Sequence, residues 1–125
     1  MGEFRLSGGK ASAAALLLCA VLAGCGGTST DGKGIGGEPI EAFTAEQIFG
    51  RAEYELNRRK FERAAEYFGE VERLYPYSAW AKRALIMQAF AHHKDKDYEN
   101  SRSAAQRYID FYPTDEDAAY AQYLL

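Results

Sequence analysis

The sequence predicts an all-α chain whose helical hairpins stack into a short solenoid, preceded by a signal peptide and a flexible tether. Three observations predict it. After residue 42 apolar residues recur at helical spacing, and no segment alternates as a strand does. Capping residues and prolines divide that part into five helices. The divisions also recur: Pro76 and Pro113 stand 37 residues apart, since 113 − 76 = 37, and a fixed interval of this size marks a repeat array.

The N-terminus comes first. Arg5 and Lys10 precede the run ASAAALLLCAVLA at residues 11–23. As a helix those 13 residues reach about 20 Å, against a hydrocarbon core of ~30 Å, so the run is too short to span a bilayer comfortably. A basic start, a short apolar stretch and a small-residue exit describe a secretory signal peptide. Residues 26–41, GGTSTDGKGIGGEPIE, have no apolar period and many glycines, and read as a flexible tether.

The helices come after the tether. Thr44 with Gln47 forms a capping box, and Phe43 and Ile48 occupy the positions of a hydrophobic staple, so a first helix starts there and runs to about residue 58. A second covers about 62–75 and stops at Pro76. Ser78 caps a third, about 79–95. Asp97 caps a fourth, about 98–111, stopped by Pro113. Thr114 is expected to cap a fifth. On the third helix Ala81, Ala84, Leu85, Gln88 and Ala89 share one face, and Ile86, Phe90 and His93 another. A helix apolar on two faces is covered on two sides, as an inner helix of a stack would be.

Shifting the chain by 37 residues aligns Phe61 with Tyr98, Ala64 with Ser101, Leu74 with Phe111, Ile48 with Leu85 and Ala52 with Ala89. The small residues Ala52, Ala64 and Ala89 fall where paired helices must touch, and Phe61 and Tyr98 are expected to plug the turns. This pattern resembles the tetratricopeptide repeat, a helix-turn-helix unit of ~34 residues. The tryptophan, glycine and tyrosine that mark its first helix are replaced by Ile48, Ala52 and Glu55, then by Leu85, Ala89 and His92. The expected division is a leader at 1–24, a lipidated cysteine and tether at 25–42, and repeats at 43–125, split as 44–77, 78–114 and a partial 115–125. With two whole repeats and an opening third, the chain reads as a fragment of a longer array.

Leu22-Ala23-Gly24-Cys25 resembles the lipobox of bacterial lipoproteins. That resemblance implies a diacylglycerol on the Cys25 thiol, cleavage before it, and a further acyl chain such as palmitate on the new amino group. Gly26 stands where an aspartate would imply inner-membrane retention, so sorting to the outer membrane is implied. The lipobox, the tether, Arg73-Leu-Tyr-Pro-Tyr-Ser, Arg107-Tyr-Ile-Asp-Phe-Tyr-Pro-Thr and Asp117-Ala-Ala-Tyr-Ala-Gln-Tyr-Leu together resemble the BamD/ComL (YfiO) family of outer-membrane assembly lipoproteins. The resemblance implies a scaffold anchored in the outer membrane and facing the periplasm, without cofactor. Its implied partners are the barrel-assembly subunit BamA, accessory lipoproteins and unfolded outer-membrane protein clients. The alternative is a periplasmic tetratricopeptide adaptor of the Tol-Pal and cell-division coordinator type, which normally lacks a lipobox. A third, a peptidoglycan-linked enzyme, would need a catalytic domain after Leu125.

The residues offer little for catalysis. Gly32-Lys33-Gly34-Ile35-Gly36-Gly37 satisfies G-x-G-x-x-G, and residues 27–33 satisfy G-x-x-x-x-G-K, but no strand precedes them and Pro39 stands where a helix would have to begin. His92 and His93 are adjacent and point about 100° apart on a helix, so they do not share a metal-binding face. Asp115, Glu116 and Asp117 read as the first turn of the fifth helix, where carboxylates suit the dipole. The net charge of −3 argues against nucleic acid. Two cysteines without a CxxC pair argue against a disulfide framework or a zinc site. Binding is the better expectation. In tetratricopeptide arrays the first helix of each hairpin lines the groove, which by register places Phe49, Glu53, Asn57, Ile86, Phe90, His93 and Lys94 there.

Overall fold

The computed structural model describes residues 34–125. The leader at 1–24, Cys25 and the residues from there to 33 lie outside the described residues. Among the described residues a 3-10 turn at Ile40–Ala42 is followed by five α-helices: α1 (Ala45–Asn57), α2 (Phe61–Leu74), α3 (Ala79–Lys94), α4 (Tyr98–Phe111) and α5 (Ala118–Tyr123). The described residues hold no strand, only an isolated bridge between Ile35 and Glu38. Successive helices pack side by side, α1 on α2, α2 on α3 and α3 on α4, with α1 also reaching α3.

Local chemistry sets the ends. Thr44 Oγ1 accepts from the Gln47 amide at 3.3 Å while Gln47 Oε1 accepts from the Thr44 amide at 2.9 Å, completing the capping box. Ser78 and Asp97 cap α3 and α4 through the amides of Ala81 and Asn100. The 37-residue interval is written into the backbone. Arg59 and Lys96, 37 apart, both turn through the left-handed region, at φ 62° and 67°. Tyr75 and Tyr112, also 37 apart, end α2 and α4 at nearly the same angles, φ −132° ψ 53° and φ −133° ψ 57°.

Packing explains the small residues. Ala52, Ala64 and Ala89 are fully buried, so backbones approach closely there. In the second hairpin Ser101 replaces Ala64 and donates its hydroxyl to the Ala89 carbonyl at 2.9 Å. The core has two centres. Ile48, Phe49, Phe68 and Val71 lead the first, and Leu85, Ala105 and Tyr108 the second. α3 serves both, with Ala84 and Ala91 in the first and Leu85, Ile86 and Ala89 in the second. That is the two-sided burial expected of an inner helix.

Three expectations are corrected. The fifth helix does not start at Thr114. Asp115 is drawn back to Lys82 and Tyr108, the intervening residues form turns, and α5 begins at Ala118, so Asp115, Glu116 and Asp117 precede the helix. Tyr98 does not plug its turn. It is 53 % exposed and lies edge-on to His93 across the outside of the hairpin. Finally, the tether reading extends too far. Residues 34–43 are packed along α2 as a strap. Ile40 is 3 % exposed within the first core, Tyr67 donates to the Gly34 carbonyl at 3.0 Å, and Tyr75 donates to the Phe43 carbonyl. Arg73 reaches Glu41 at 3.2 Å. Gly36 and Gly37, at φ 62° and 91°, make a tight turn that pairs Ile35 with Glu38.

Candidate functional site

The face expected to bind a polypeptide is built from α1 and α3, the first helices of the two hairpins. Their neighbours α2 and α4 pack behind them and leave one flank of each open. Glu53 and Asn57 stand on that flank of α1 and are exposed. On α3, Phe90 and His93 are half-buried and Lys94 is exposed, its ammonium 5.9 Å from the Phe90 ring. His93 leans on Tyr98 with ring centres 5.3 Å apart. Phe49 and Ile86 do not line a surface. Phe49 is 1 % exposed, lodged between the rings of Phe68 at 5.1 Å and Trp80 at 5.0 Å, and Ile86 is buried in the second core. Their apolar side chains complete the stack, so they support the face from beneath.

Two residues of this region, Trp80 and Arg83, are not among those that register selects. Arg83 is exposed and lays its guanidinium 4.9 Å from the Phe49 ring and 5.3 Å from Trp80. It joins the two hairpins across the α1–α3 seam. Its position three before Ile86 is the sequence signal that points to it, and Trp80 lies three before Arg83. The face therefore mixes acid (Glu53), amide (Asn57), cations (Arg83, Lys94) and half-buried rings (Phe90, His93).

A second concavity, which the sequence does not foretell, lies on the other side between α2, α3 and α4. It encloses about 700 Å³ over Ala81 and Leu85, with Tyr77 and Phe111 at its rim. Arg107 crosses it, 3.1 Å from both Gln88 Oε1 and Glu72 Oε2. Phe111, aligned with Leu74 by the repeat, is 64 % exposed.

Electrostatics hold the second hairpin to α5. Asp115 accepts from Lys82 and from the Tyr108 hydroxyl, each at 2.5 Å, and from the Asp117 amide at 3.2 Å. Those donors, Lys82 first, lower its carboxyl from 3.8 to about 2. Burial first, and then Asp115, push the Tyr108 hydroxyl up. Asn100, through its side chain and its amide, lowers Asp97, with a smaller contribution from His92. These groups fix helix ends and seams. Among the described residues no group of three or more His, Cys, Asp or Glu side chains converges to hold a metal ion. Nor is any helix of the described residues long and apolar enough to cross a membrane.

The arrangement is that of a short helical-repeat stack with an open outer face. The family description "YfiO: Outer membrane lipoprotein" matches residues 41–125, and the chain belongs to that family. It is 34 % identical over 111 residues to the outer membrane protein assembly factor BamD of Caulobacter vibrioides, covering 89 % of this chain and 35 % of that protein. BamD of Neisseria gonorrhoeae is 27 % identical over 66 % of this chain and 31 % of its own length. BamD of Rickettsia prowazekii is 32 % identical over 55 % and 28 %. The chain thus spans about a third of the length of these relatives.

Proposed function

We propose that this chain belongs to a lipid-anchored periplasmic scaffold of the outer-membrane β-barrel assembly machinery. Cys25 carries the lipid, and several acyl chains hold the protein where one would not. The α1–α3 face receives extended segments of unfolded outer-membrane proteins through Glu53, Asn57, Phe90, His93 and Lys94, with Phe49 and Ile86 supporting it and Arg83 beside them. Other subunits of the machinery, BamA and accessory lipoproteins, are the partners. The role is binding and positioning, with no chemical step and no cofactor. The observation that carries this reading is the family match across residues 41–125, which includes both hairpins that form the face.

The test is performed in cells. A photoreactive residue at position 53 is expected to crosslink to unfolded outer-membrane protein precursors, and one at position 102, on α4, is not. Equal crosslinking at both positions, or none at 53, would remove the face from the account. Labelling with a clickable fatty acid tests the anchor. Parent chain is expected to take the label and Cys25→Ser to lose it. An unlabelled parent would contradict the anchor.

A further inference from the structure

We infer that the α1–α2 turn is a membrane-facing surface that binds anionic phospholipid headgroups, and that the N-terminal strap directs it there. The inference rests on the lipid anchor proposed above and adds a second point of attachment to it. Residues 58–63 read RRKFER, four cations against the single acid Glu62, in a chain whose net charge is −3. Arg58, Arg59, Lys60 and Arg63 are all exposed. The nearby acids Glu55 and Glu66 offset them only in part, Glu55 bearing on Lys60 and Arg63 and Glu66 on Arg63. Glu55 is 1 % exposed and bound to Arg51 at 2.7 Å, with Lys60 at 4.0 Å. Tyr54, 47 % exposed, lies among the cations, its ring 4.9 Å from the Arg51 guanidinium and 5.3 Å from that of Arg58. Arg58 also donates to its hydroxyl at 2.9 Å. A tyrosine set among arginines suits the headgroup layer, where phosphates meet cations and amphipathic rings.

The strap supplies the direction. It runs in the same sense as α2, with Gly34 at Tyr67, Glu41 at Arg73 and Phe43 at Tyr75. Followed backward from Phe43, it heads toward the α1–α2 turn. Gly34 is held level with Tyr67, which lies ~9 Å along the helix axis from Phe61. The guanidinium groups of Arg51 and Arg63 are each 6.0 Å from the Tyr67 ring, so the chain enters the strap beside the cations. Cys25 precedes Gly34 by nine residues, and nine steps span at most ~32 Å in any conformation. A lipid on Cys25 therefore keeps Gly34 within ~32 Å of the bilayer surface and leaves the basic turn, on the side where the chain enters the strap, free to reach that surface. There anionic headgroups attract lysine and arginine across a screening length of ~8 Å.

The test is flotation of the mature chain, residues 25–125 with Cys25→Ser, with two kinds of vesicle, phosphatidylcholine alone and phosphatidylcholine mixed with phosphatidylglycerol. Binding is expected to strengthen with phosphatidylglycerol and to weaken as salt rises. R58E/R59E is expected to weaken binding to the anionic vesicles by at least about tenfold. R58Q/R59Q should fall between this variant and the parent, with helical circular dichroism unchanged. If R58E/R59E floats as the parent does, the proposal is overturned. If glycerol phosphate at equal phosphate concentration displaces the chain, the turn binds a free phosphate and not a surface, which also overturns it. A missing fatty-acid label would remove the anchor and leave the vesicle result standing, so the two failures are distinguishable.

Discussion

The two hairpins repeat one backbone at a 37-residue interval, yet their outer flanks are covered by different means. The first, α1 and α2, is closed by the strap. Ile40 fills the core and backbone carbonyls take the hydroxyls of Tyr67 and Tyr75. The second, α3 and α4, is covered by the six-residue α5, with Ala121 and Leu124 buried and Asp115 tying Lys82 to Tyr108. At its free side Tyr123 remains 75 % exposed. The difference teaches that a repeat does not carry its own cover. Each hairpin has a greasy flank, and whatever chain lies next hides it, whether a glycine turn or another helix.

Substitutions can break or sharpen that contrast. The largest expected effect is at Phe68, fully buried against Phe49. Phe68→Ala should cost about 3–5 kcal/mol in urea unfolding, and a loss below ~1 kcal/mol would mean that the first hairpin does not pack as described. Ile40→Ala comes next. It should cost about 2 kcal/mol, the low end for such a truncation. Amides of residues 34–43 should then exchange faster while those of α4 stay unchanged. Equal acceleration in both would deny that the strap covers only the first hairpin.

The second hairpin's tie is tested by acid. The Asp115 carboxyl is lowered from 3.8 to about 2 when folded, so its stabilisation is present above pH ~4 and is lost as pH falls through about 2. Asp115→Asn should flatten that part of the stability profile, read by thermal unfolding across the same range. An unchanged profile would remove the tie. The smallest effect is expected at Ser101. The first hairpin manages with Ala64 at the equivalent site, and the Ala89 carbonyl that accepts from Ser101 already lies within a helix. Ser101→Ala should cost no more than about 1 kcal/mol in the same urea measurement, and a larger loss would mean that the hydroxyl holds the second hairpin together.

Much of the fold was legible because it rests on local rules. The capping box at Thr44, the caps at Ser78 and Asp97, and the prolines after Tyr75 and Tyr112 each act within a few residues, and all hold. What was illegible depends on contacts distant in sequence. The glycines at 34–37 read as slack, and only Tyr67 and the core around Ile40 reveal a docked turn. Thr114 reads as a cap, but the pull of Lys82 and Tyr108 on Asp115 moves the helix start to Ala118.

The candidate face divides in the same way. Register alone places Glu53, Asn57, Phe90, His93 and Lys94 on the first helices of the hairpins. Register does not say how deep a side chain sits. Phe49 is drawn into the core because Phe68 from α2 and Trp80 from α3 close over it, and Arg83 takes its place at the surface. The exposed Phe111 shows the converse, since a position matched to Leu74 by the repeat lies open where no further helix of the described residues packs beside it.

Native-state amide exchange over the whole chain, followed by mass spectrometry, tests most directly the claim that each hairpin is closed by the chain beside it. Amides of residues 38–43 that donate within the strap are predicted to open together with α1 and α2, at the highest free energies in the molecule, and those of α5 to open first. Strap amides that exchange at the rate of an unstructured chain, while α1 and α2 stay protected, would contradict it.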